Sequence, residues 1–478
     1  MKKYSISSII FIYLLISLAT VALRGCSGSG SFTGDEPHYL VIASGIAKYG
    51  SLEQTLPYKD EFRTRKIAWK YGLSPADAEP SPHNTHAVHT PNGLFNVHSI
   101  GLPLLLVLPF MFGSLYSGFG SVVLSKLFMI LYSTLVIPVV WLVTGFFSAN
   151  QRKRYWTTFA LCIGLPLIPA SSQIYPDVLA GLISLLGLYW FCTTQRKCHK
   201  LMETMLAAVL VFLPWLHIKF AVTSVILVLA ISAKIFTESK NWQRVFRLLL
   251  FSFVSYGILV AYNVYAFGKA SGSHHSCDLE ISKTSFMVLS GLCFDQNHGF
   301  LFQNPVNFIG LFALYALFRY NRMLALLWGL VFLSLILPNA MHVNWYGGLS
   351  FSGRFGWSAA IVFIVPVVFG LLRLAYKNEN LFYTVIILSA LLQFYFFYIY
   401  AILGKSLYNK GSLVLLDAYS IYYGPLHSWL PMLYNSSWAY SYTPNYVWFA
   451  LAVAIIVLGF LNTRKEKKDQ ALRALHLF

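Results

Sequence analysis

Residues 357–373 read Trp357-Ser358-Ala359-Ala360-Ile361-Val362-Phe363-Ile364-Val365-Pro366-Val367-Val368-Phe369-Gly370-Leu371-Leu372-Arg373. Sixteen residues pass without a charge before Arg373 and Lys377 close the run. The stretch is apolar on every side, so no helical face in it is suited to water. Such a helix belongs in a membrane or at the centre of a bundle. Eleven further runs of the same kind follow one another along the chain: 5–24, 121–147, 156–170, 177–194, 203–218, 220–236, 246–266, 305–319, 323–340, 381–402 and 446–462. The composition agrees. Of 478 residues, 57% are apolar and 11% charged, against about 25% charged in a soluble chain. The expected fold is all-α, a polytopic membrane bundle of about twelve spans. A soluble enzyme, a disordered protein and a coiled coil are excluded.

The net charge of +18 does not indicate nucleic acid, because the basic residues form no single stripe. They sit in small clusters between apolar runs. With Lys2 and Lys3 inside, alternation of the spans places Arg152/Lys153/Arg154, Arg196/Lys197/Lys200, Lys234/Lys240/Arg244/Arg247, Arg319/Arg322, Arg373/Lys377 and Arg464/Lys465/Lys467/Lys468/Arg473 on the same, cytoplasmic side. This holds when the apolar run 99–118 lies on the outer face without crossing; a thirteenth span would send every later cluster outside. Both termini are then cytoplasmic, and the chain sits in the inner (cytoplasmic) membrane. Lys2 and Lys3 before an apolar stretch resemble a signal peptide, and an uncleaved first span is the expectation. Twelve of the seventeen acids and eleven of the thirteen histidines fall on the outer side, so acid–base chemistry is expected there.

Three outer segments are long: 25–98, 267–304 and 403–445. Residues 1–373 are read as the catalytic membrane module and 374–478 as variable C-terminal spans. Gly34-Asp35-Glu36-Pro37-His38-Tyr39 follows the first span directly. An acid ahead of Pro37 suits a helix start; two carboxylates at the membrane surface also suit chemistry on a headgroup or hydroxyl. His83, His86 and His89 have metal-like spacing, but Pro80, Pro82 and Pro91 break the helix it requires, and loop histidines are the simpler reading. His98 lies at headgroup depth. Lys219, beside His217, opposes the positive-inside pattern; it either binds an anion or snorkels. Arg354 stands among glycines and aromatics in Trp345-Tyr346-Gly347-Gly348 to Arg354 and is suited to phosphate. Asp295 and His298 precede a span, where hydrogen bonding and substrate contact are equally good readings. Asp177 reads as a helix cap. Cys277 and Cys293 share an outer loop and either pair or stay free. His274, His275, Cys277 and Asp278 lack paired metal spacing.

Four segments together resemble a known family: Gly34 to Leu40, Pro91-Asn92-Gly93 to Pro103, Phe294-Asp295-Gln296 to Pro305, and Trp345 to Arg354. The chain looks like the polytopic glycosyltransferases of the GT-C fold, in particular bacterial relatives of the protein O-mannosyltransferases and the lipid A aminoarabinose transferases. The resemblance covers the first 350 residues or so. It implies inverting transfer of a sugar from a polyprenyl-phosphate-sugar donor to a hydroxyl of a lipid, glycan or protein acceptor, on the outer face of the bilayer. It implies Asp35 as the carboxylate base, with Glu36 second or orienting the acceptor. Arg354 and Lys219 are the implied phosphate ligands, helped by His98 and His217. His38, Tyr39, Asp295, His298 and Trp345 are the implied substrate contacts. No metal or other cofactor is expected, since one phosphate can be met by fixed cations. A lipid-linked sugar transporter would instead carry ionisable groups along its spans. A ligase using a polyprenyl-diphosphate donor would carry several outer arginines.

Overall fold

The computed structural model describes residues 4–26, 34–68, 72–116, 118–194, 200–273, 279–342, 350–405, 416–433 and 439–465. Eight helices are long and apolar enough to cross a membrane: Ile6–Arg24, Phe119–Phe147, Ile218–Ser239, Trp242–Phe267, Arg322–Met341, Arg354–Lys377, Glu379–Ile402 and Thr443–Lys465. Shorter apolar helices span Gly101–Ser114, Asp177–Thr193, Lys283–Phe294 and Pro305–Tyr320. The protein is an all-α, multi-pass integral membrane bundle.

Burial sorts these helices. The run that decides the fold, Arg354–Lys377, is 94% buried over its apolar window, while Thr443–Lys465 is 17% buried. Apolar residues on every side let the first serve as the axis of the bundle. It packs against Asp177–Thr193, Phe308–Tyr320, Arg322–Met341, Val136–Phe147 and Glu379–Phe397. The peripheral helices keep one face for lipid.

Three boundaries differ from those expected. The run 156–170 is split into Gln151–Cys162 and the single turn Leu167–Ala170, because Gly164 and Pro166 interrupt the ladder. The run 203–218 becomes Lys200–Val211 and Leu213–Leu216, broken at Pro214. The outer segment 267–304 contains a helix, Lys283–Phe294, started by a capping box between Ser282 and Ser285. Its first turn is polar, which hid it among loop residues.

The first outer segment forms a layer over the bundle. Glu36–Tyr49 ends at Gly50, whose φ of 61° permits the left-handed cap. Thr55–Thr64 follows. Ala87–Thr90 and Gly93–Asn96 then pair antiparallel across Pro91-Asn92. This hairpin is the one two-stranded sheet among the described residues, beside a single isolated bridge between Leu279 and His342. It is pinned by Glu53, whose Oε1 accepts from Leu94 N at 3.0 Å, and by Asn92 Nδ2, which donates to the Tyr265 carbonyl at 2.6 Å. Gly101–Ser114, about 21 Å long at 1.5 Å per residue, falls short of a hydrocarbon core of about 30 Å. It runs antiparallel to the start of the next helix: Ser121 Oγ donates to Phe110 O at 3.1 Å and Tyr132 OH to Leu105 O at 3.2 Å.

The two ends of the bundle differ chemically. At one end, Arg244 pairs with Glu203 at 2.5 Å, Arg152 lies over the Tyr383 ring and Arg373 donates to Thr463. These are the basic clusters assigned to the cytoplasmic side. The helix starts at Asp177, Ile218 and Arg354 meet at the other end.

Helix approach in a bilayer depends on small residues. A Cβ added to Gly459 would lie 2.1 Å from the Phe312 carbonyl oxygen, whereas one on Gly329 would meet nothing within 4 Å. Gly459→Ile is therefore expected to lower stability by about 1–3 kcal/mol through overpacking. Gly329→Ala should leave it unchanged or raise it by up to about 1 kcal/mol. Thermal midpoints of the purified variants in detergent check this pair.

Candidate functional site

Asp35 occupies the N-cap position of Glu36–Tyr49, yet its side chain makes no capping bond. Its backbone carbonyl does the local work, accepting from His38 N at 3.0 Å. The carboxylate instead reaches a residue 319 positions away: Arg354 Nη1 donates to Asp35 Oδ2 at 3.2 Å. The helix-cap reading and the chemical reading of Asp35 are thereby separated. The carboxylate is free of the helix and held by the start of the axial helix.

Arg354 is 7% exposed. Its guanidinium lies over the Tyr175 ring at 4.1 Å and near the Phe355 ring at 5.0 Å. Gly353 places it. That residue has φ +78°, and a Cβ there would stand 2.3 Å from the His298 carbonyl oxygen. Only glycine permits both the left-handed backbone and this approach. The loop under Gly353 is fixed by a buried knot. Asp295 Oδ1 accepts from the N–H groups of Asn297 and His298, each at 2.9 Å, and lies 3.0 Å from His298 Nδ1. Asp295 Oδ2 accepts from Leu433 N at 2.8 Å. Asp295 and His298 are 0% and 3% exposed. Their placement makes them supports of the Arg354 loop, outside the Asp35 cluster. Trp345 lies outside the described residues, as do His274, His275, Cys277 and Asp278.

Around Asp35 the first outer layer brings three imidazoles together. His86 Nδ1 is 3.8 Å from Asp35 Oδ1. His38 stacks on His86 at 4.0 Å between centroids, and His98 lies 5.7 Å from His86. Tyr39 faces His98 at 4.8 Å. His86 enters because Ser81 caps the turn Pro82–Thr85 and His86 itself takes φ 49°; its side chain stays 51% exposed, as His83 and His89 are exposed, and of the three it is the one whose ring meets His38 and Asp35. Spacing gave no reason to separate His86 from its two neighbours; the turn and hairpin do so.

Electrostatics follow from burial and charge. Burial alone would raise the Asp35 carboxyl, but His98, Arg354 and His86 outweigh it and bring it down to about 2. Burial, with His86 and His98 alongside, holds His38 well below the usual histidine range. Burial pushes the Tyr39 phenol up, and the Asp35 charge pushes it further.

Lys219 and Glu36 both have partners. Lys219 Nζ donates to Asp177 Oδ1 at 2.8 Å and to Asn339 Oδ1 at 3.0 Å. Asn339 Nδ2 in turn donates to the Phe355 carbonyl at 2.9 Å, which ties Lys219 to the backbone beside Arg354. Asp177 is thus an ion-pair partner rather than a cap. His217 Nδ1 accepts from Lys219 N at 3.2 Å and caps the turn Ile218–Phe220. Glu36 is fully buried and pairs with Lys126 at 3.3 Å. It anchors its helix to Phe119–Phe147 and does not join Asp35.

One donor set for a metal is present among the described residues. Asp35, His86 and His98 each offer a ligand atom, all within 4.8 Å of one another. A carboxylate with two imidazoles suits zinc or a similar ion. Asp35 has only Oδ1 to give, since Oδ2 holds Arg354.

The pair sets an acid dependence. An Asp35 carboxyl near 2 against an ordinary 3.8 contributes about 2 kcal/mol of stability. The contribution is fully present above the ordinary aspartate value and is lost as pH falls through about 2. The stability gap between wild type and Asp35→Asn should therefore narrow by about 2 kcal/mol between pH 6 and pH 2. Thermal midpoints across that range measure it, and a constant gap would refute the pairing.

No protein-family model and no curated protein matches the sequence. Among solved structures, the chain is similar to ArnT from Cupriavidus metallidurans bound to undecaprenyl phosphate, with a TM-score of 0.47 and 12% identity over 98% of this chain and 73% of that one. It is also similar to the apo oligosaccharyltransferase of Archaeoglobus fulgidus, with a TM-score of 0.46 and 14% identity over 89% of this chain and 60% of that one. Both are polytopic glycosyltransferases of the GT-C fold, the group that the four sequence segments resemble.

Proposed function

We propose that this protein is a membrane glycosyltransferase that moves a sugar from a polyprenyl-phosphate-sugar donor to an acceptor hydroxyl on the outer face, with inversion. The observation that carries the proposal is the Asp35–Arg354 pair, 3.2 Å apart at the end of the most buried helix. It sets a carboxylate base beside a fixed phosphate-binding cation.

The acceptor oxygen attacks C1 of the sugar from the side opposite the phosphate. The new C1–O bond forms as the bond to the phosphate oxygen breaks. The bonding pair leaves with the phosphate, and the acceptor proton goes to Asp35. Arg354, with Lys219 behind it, stabilises the charge that develops on the leaving group. Aromatic stacking on Tyr175 keeps the guanidinium in one plane for a two-point contact.

A carboxyl near 2 is a weak base at neutral pH. The same pair supplies the remedy. A donor phosphate that engages Arg354 draws charge away from Asp35 and raises its basicity when the substrate is in place. The unliganded enzyme keeps its base masked.

The donor's single phosphate is met by protein cations, and the reaction is proposed to need no metal. The second reading has Asp35, His86 and His98 hold a divalent ion, on the strength of their 4.8 Å cluster.

Purified protein in nanodiscs, given a panel of radiolabelled polyprenyl-phosphate sugars, should release polyprenyl phosphate from one of them. Release should survive a chelator and fall at least about 100-fold in Asp35→Asn, with donor binding retained or tightened because Arg354 is freed. Loss on chelation, restored by zinc or manganese, would select the metal reading. Failure with every donor would transfer the case to a diphosphate donor or to transport. Arg354→Ala should weaken donor binding by about 10-fold or more, and Arg354→Lys by less, because the charge survives and only the fork is lost. Equal affinity in all three proteins would remove the phosphate role.

A further inference from the structure

The hydrogen-bond directions around His38 are fixed by groups that can act in only one sense. Asn96 Oδ1 accepts from the backbone N–H of His98 at 3.0 Å, and Asn96 Nδ2 donates to the Thr85 carbonyl at 3.3 Å. A backbone N–H only donates and a carbonyl only accepts, so the amide orientation is set. The remaining Nδ2 hydrogen goes to the Tyr58 hydroxyl oxygen at 2.7 Å. Tyr58 has one hydrogen of its own, and its other partner is His38 Nδ1 at 2.6 Å. Two heavy atoms that close need a proton between them. Tyr58 is fully buried, and burial keeps its phenol protonated. A phenol hydrogen turned away from Nδ1 would have no acceptor, since the hydroxyl's other partner, Asn96 Nδ2, is a donor; the phenol therefore donates and Nδ1 accepts. His38 is itself buried, and its ring stacks on His86. A neutral ring whose Nδ1 accepts carries its proton on Nε2.

We infer that Tyr58 and Asn96 are positioning residues that lock His38 as the Nε2–H tautomer, so that its second ring nitrogen is a hydrogen-bond donor. Resting on the transferase reading, the role deepens it. Asp35 is the proton acceptor, and His38 offers Nε2–H to an oxygen of the bound substrate, fixing a lone pair while the hydroxyl proton faces Asp35. The two groups divide the work because their partners differ: one faces the Arg354 guanidinium, the other a phenol that donates to it. Sequence spacing cannot show this, since Tyr58 and Asn96 come from a helix and a strand 38 residues apart.

The test uses the full-length protein in nanodiscs with 15N-labelled histidine. His38 is identified by the signal that disappears in His38→Gln. At pH 7, wild type should show an unprotonated Nδ1 and a protonated Nε2. Tyr58→Phe keeps the ring against Phe62 and removes only the proton donor. It should give a mixture of tautomers, with kcat reduced about tenfold and donor KM unchanged. Asn96→Asp can only accept at this position. It should turn the Tyr58 hydrogen toward residue 96 and move the His38 proton to Nδ1. A wild-type His38 that is Nδ1–H or doubly protonated overturns the inference, as does a Tyr58→Phe variant with unchanged tautomer or with kcat within about twofold of wild type. If wild type transfers from no donor while His38 carries the expected signature, the transferase reading fails and the tautomer lock stands.

Discussion

A buried guanidinium needs an anion, and here the anion comes from the far side of the sequence. Arg354 opens the most buried helix of the bundle, and Asp35 opens the first helix of the outer layer. Their contact joins the two parts of the molecule: Asp35 supplies an anion to the buried guanidinium, and Arg354, together with His98 and His86, holds the carboxylate charged. The supports on either side follow from this need. Gly353 brings the Arg354 backbone onto His298, the Asp295 knot holds that backbone still, and Tyr175 covers the guanidinium face. On the Asp35 side, Glu36 pins the adjoining turn to Lys126, leaving the neighbouring carboxylate to reach outward.

This arrangement also explains why two adjacent acids have different fates. Consecutive residues at a helix start point in different directions. Glu36 turns into the packed layer and becomes an anchor; Asp35 turns toward the helix ends of the bundle and meets Arg354, His86 and His98. A second ion pair, Lys219 with Asp177, sits beside the first and shares its backbone through Asn339 and Phe355. Cations and anions alternate here over short distances. On the proposed transferase reading, an incoming phosphate would find cations already desolvated and oriented, with their present carboxylate partners as the groups it must displace.

Much of the architecture was legible. A chain with long uncharged runs and basic clusters between them has few other ways to satisfy its backbone, and the all-α bundle follows. The runs that misled did so where glycine and proline broke a ladder inside apolar sequence, at Gly164, Pro166 and Pro214, or where a polar first turn disguised the helix Lys283–Phe294. Part of the site was legible as well. Asp35 and Arg354 stood out as charges where the surrounding composition is apolar, aromatic or glycine-rich. His86 did not, because it differs from His83 and His89 only in the turn that carries it. Tyr58 and Asn96 did not, because a tyrosine and an asparagine in an outer loop are unremarkable until their hydrogens are traced.

The sequence by itself determined what each segment could tolerate: which runs must avoid water, which end of each run carries its basic residues, and which few charges stand where charge is costly. These are local properties, set by transfer free energy and by position along the chain. Only the tertiary structure decided who neutralises whom. Asp35 could cap its own helix or leave it, Lys219 could snorkel or pair, and Asp177 could cap or bind a lysine. Each choice is made by a partner that is 42 or 319 residues distant. Pairing energies in a buried site depend on distances of a few ångströms, and those distances exist only once the helices have packed.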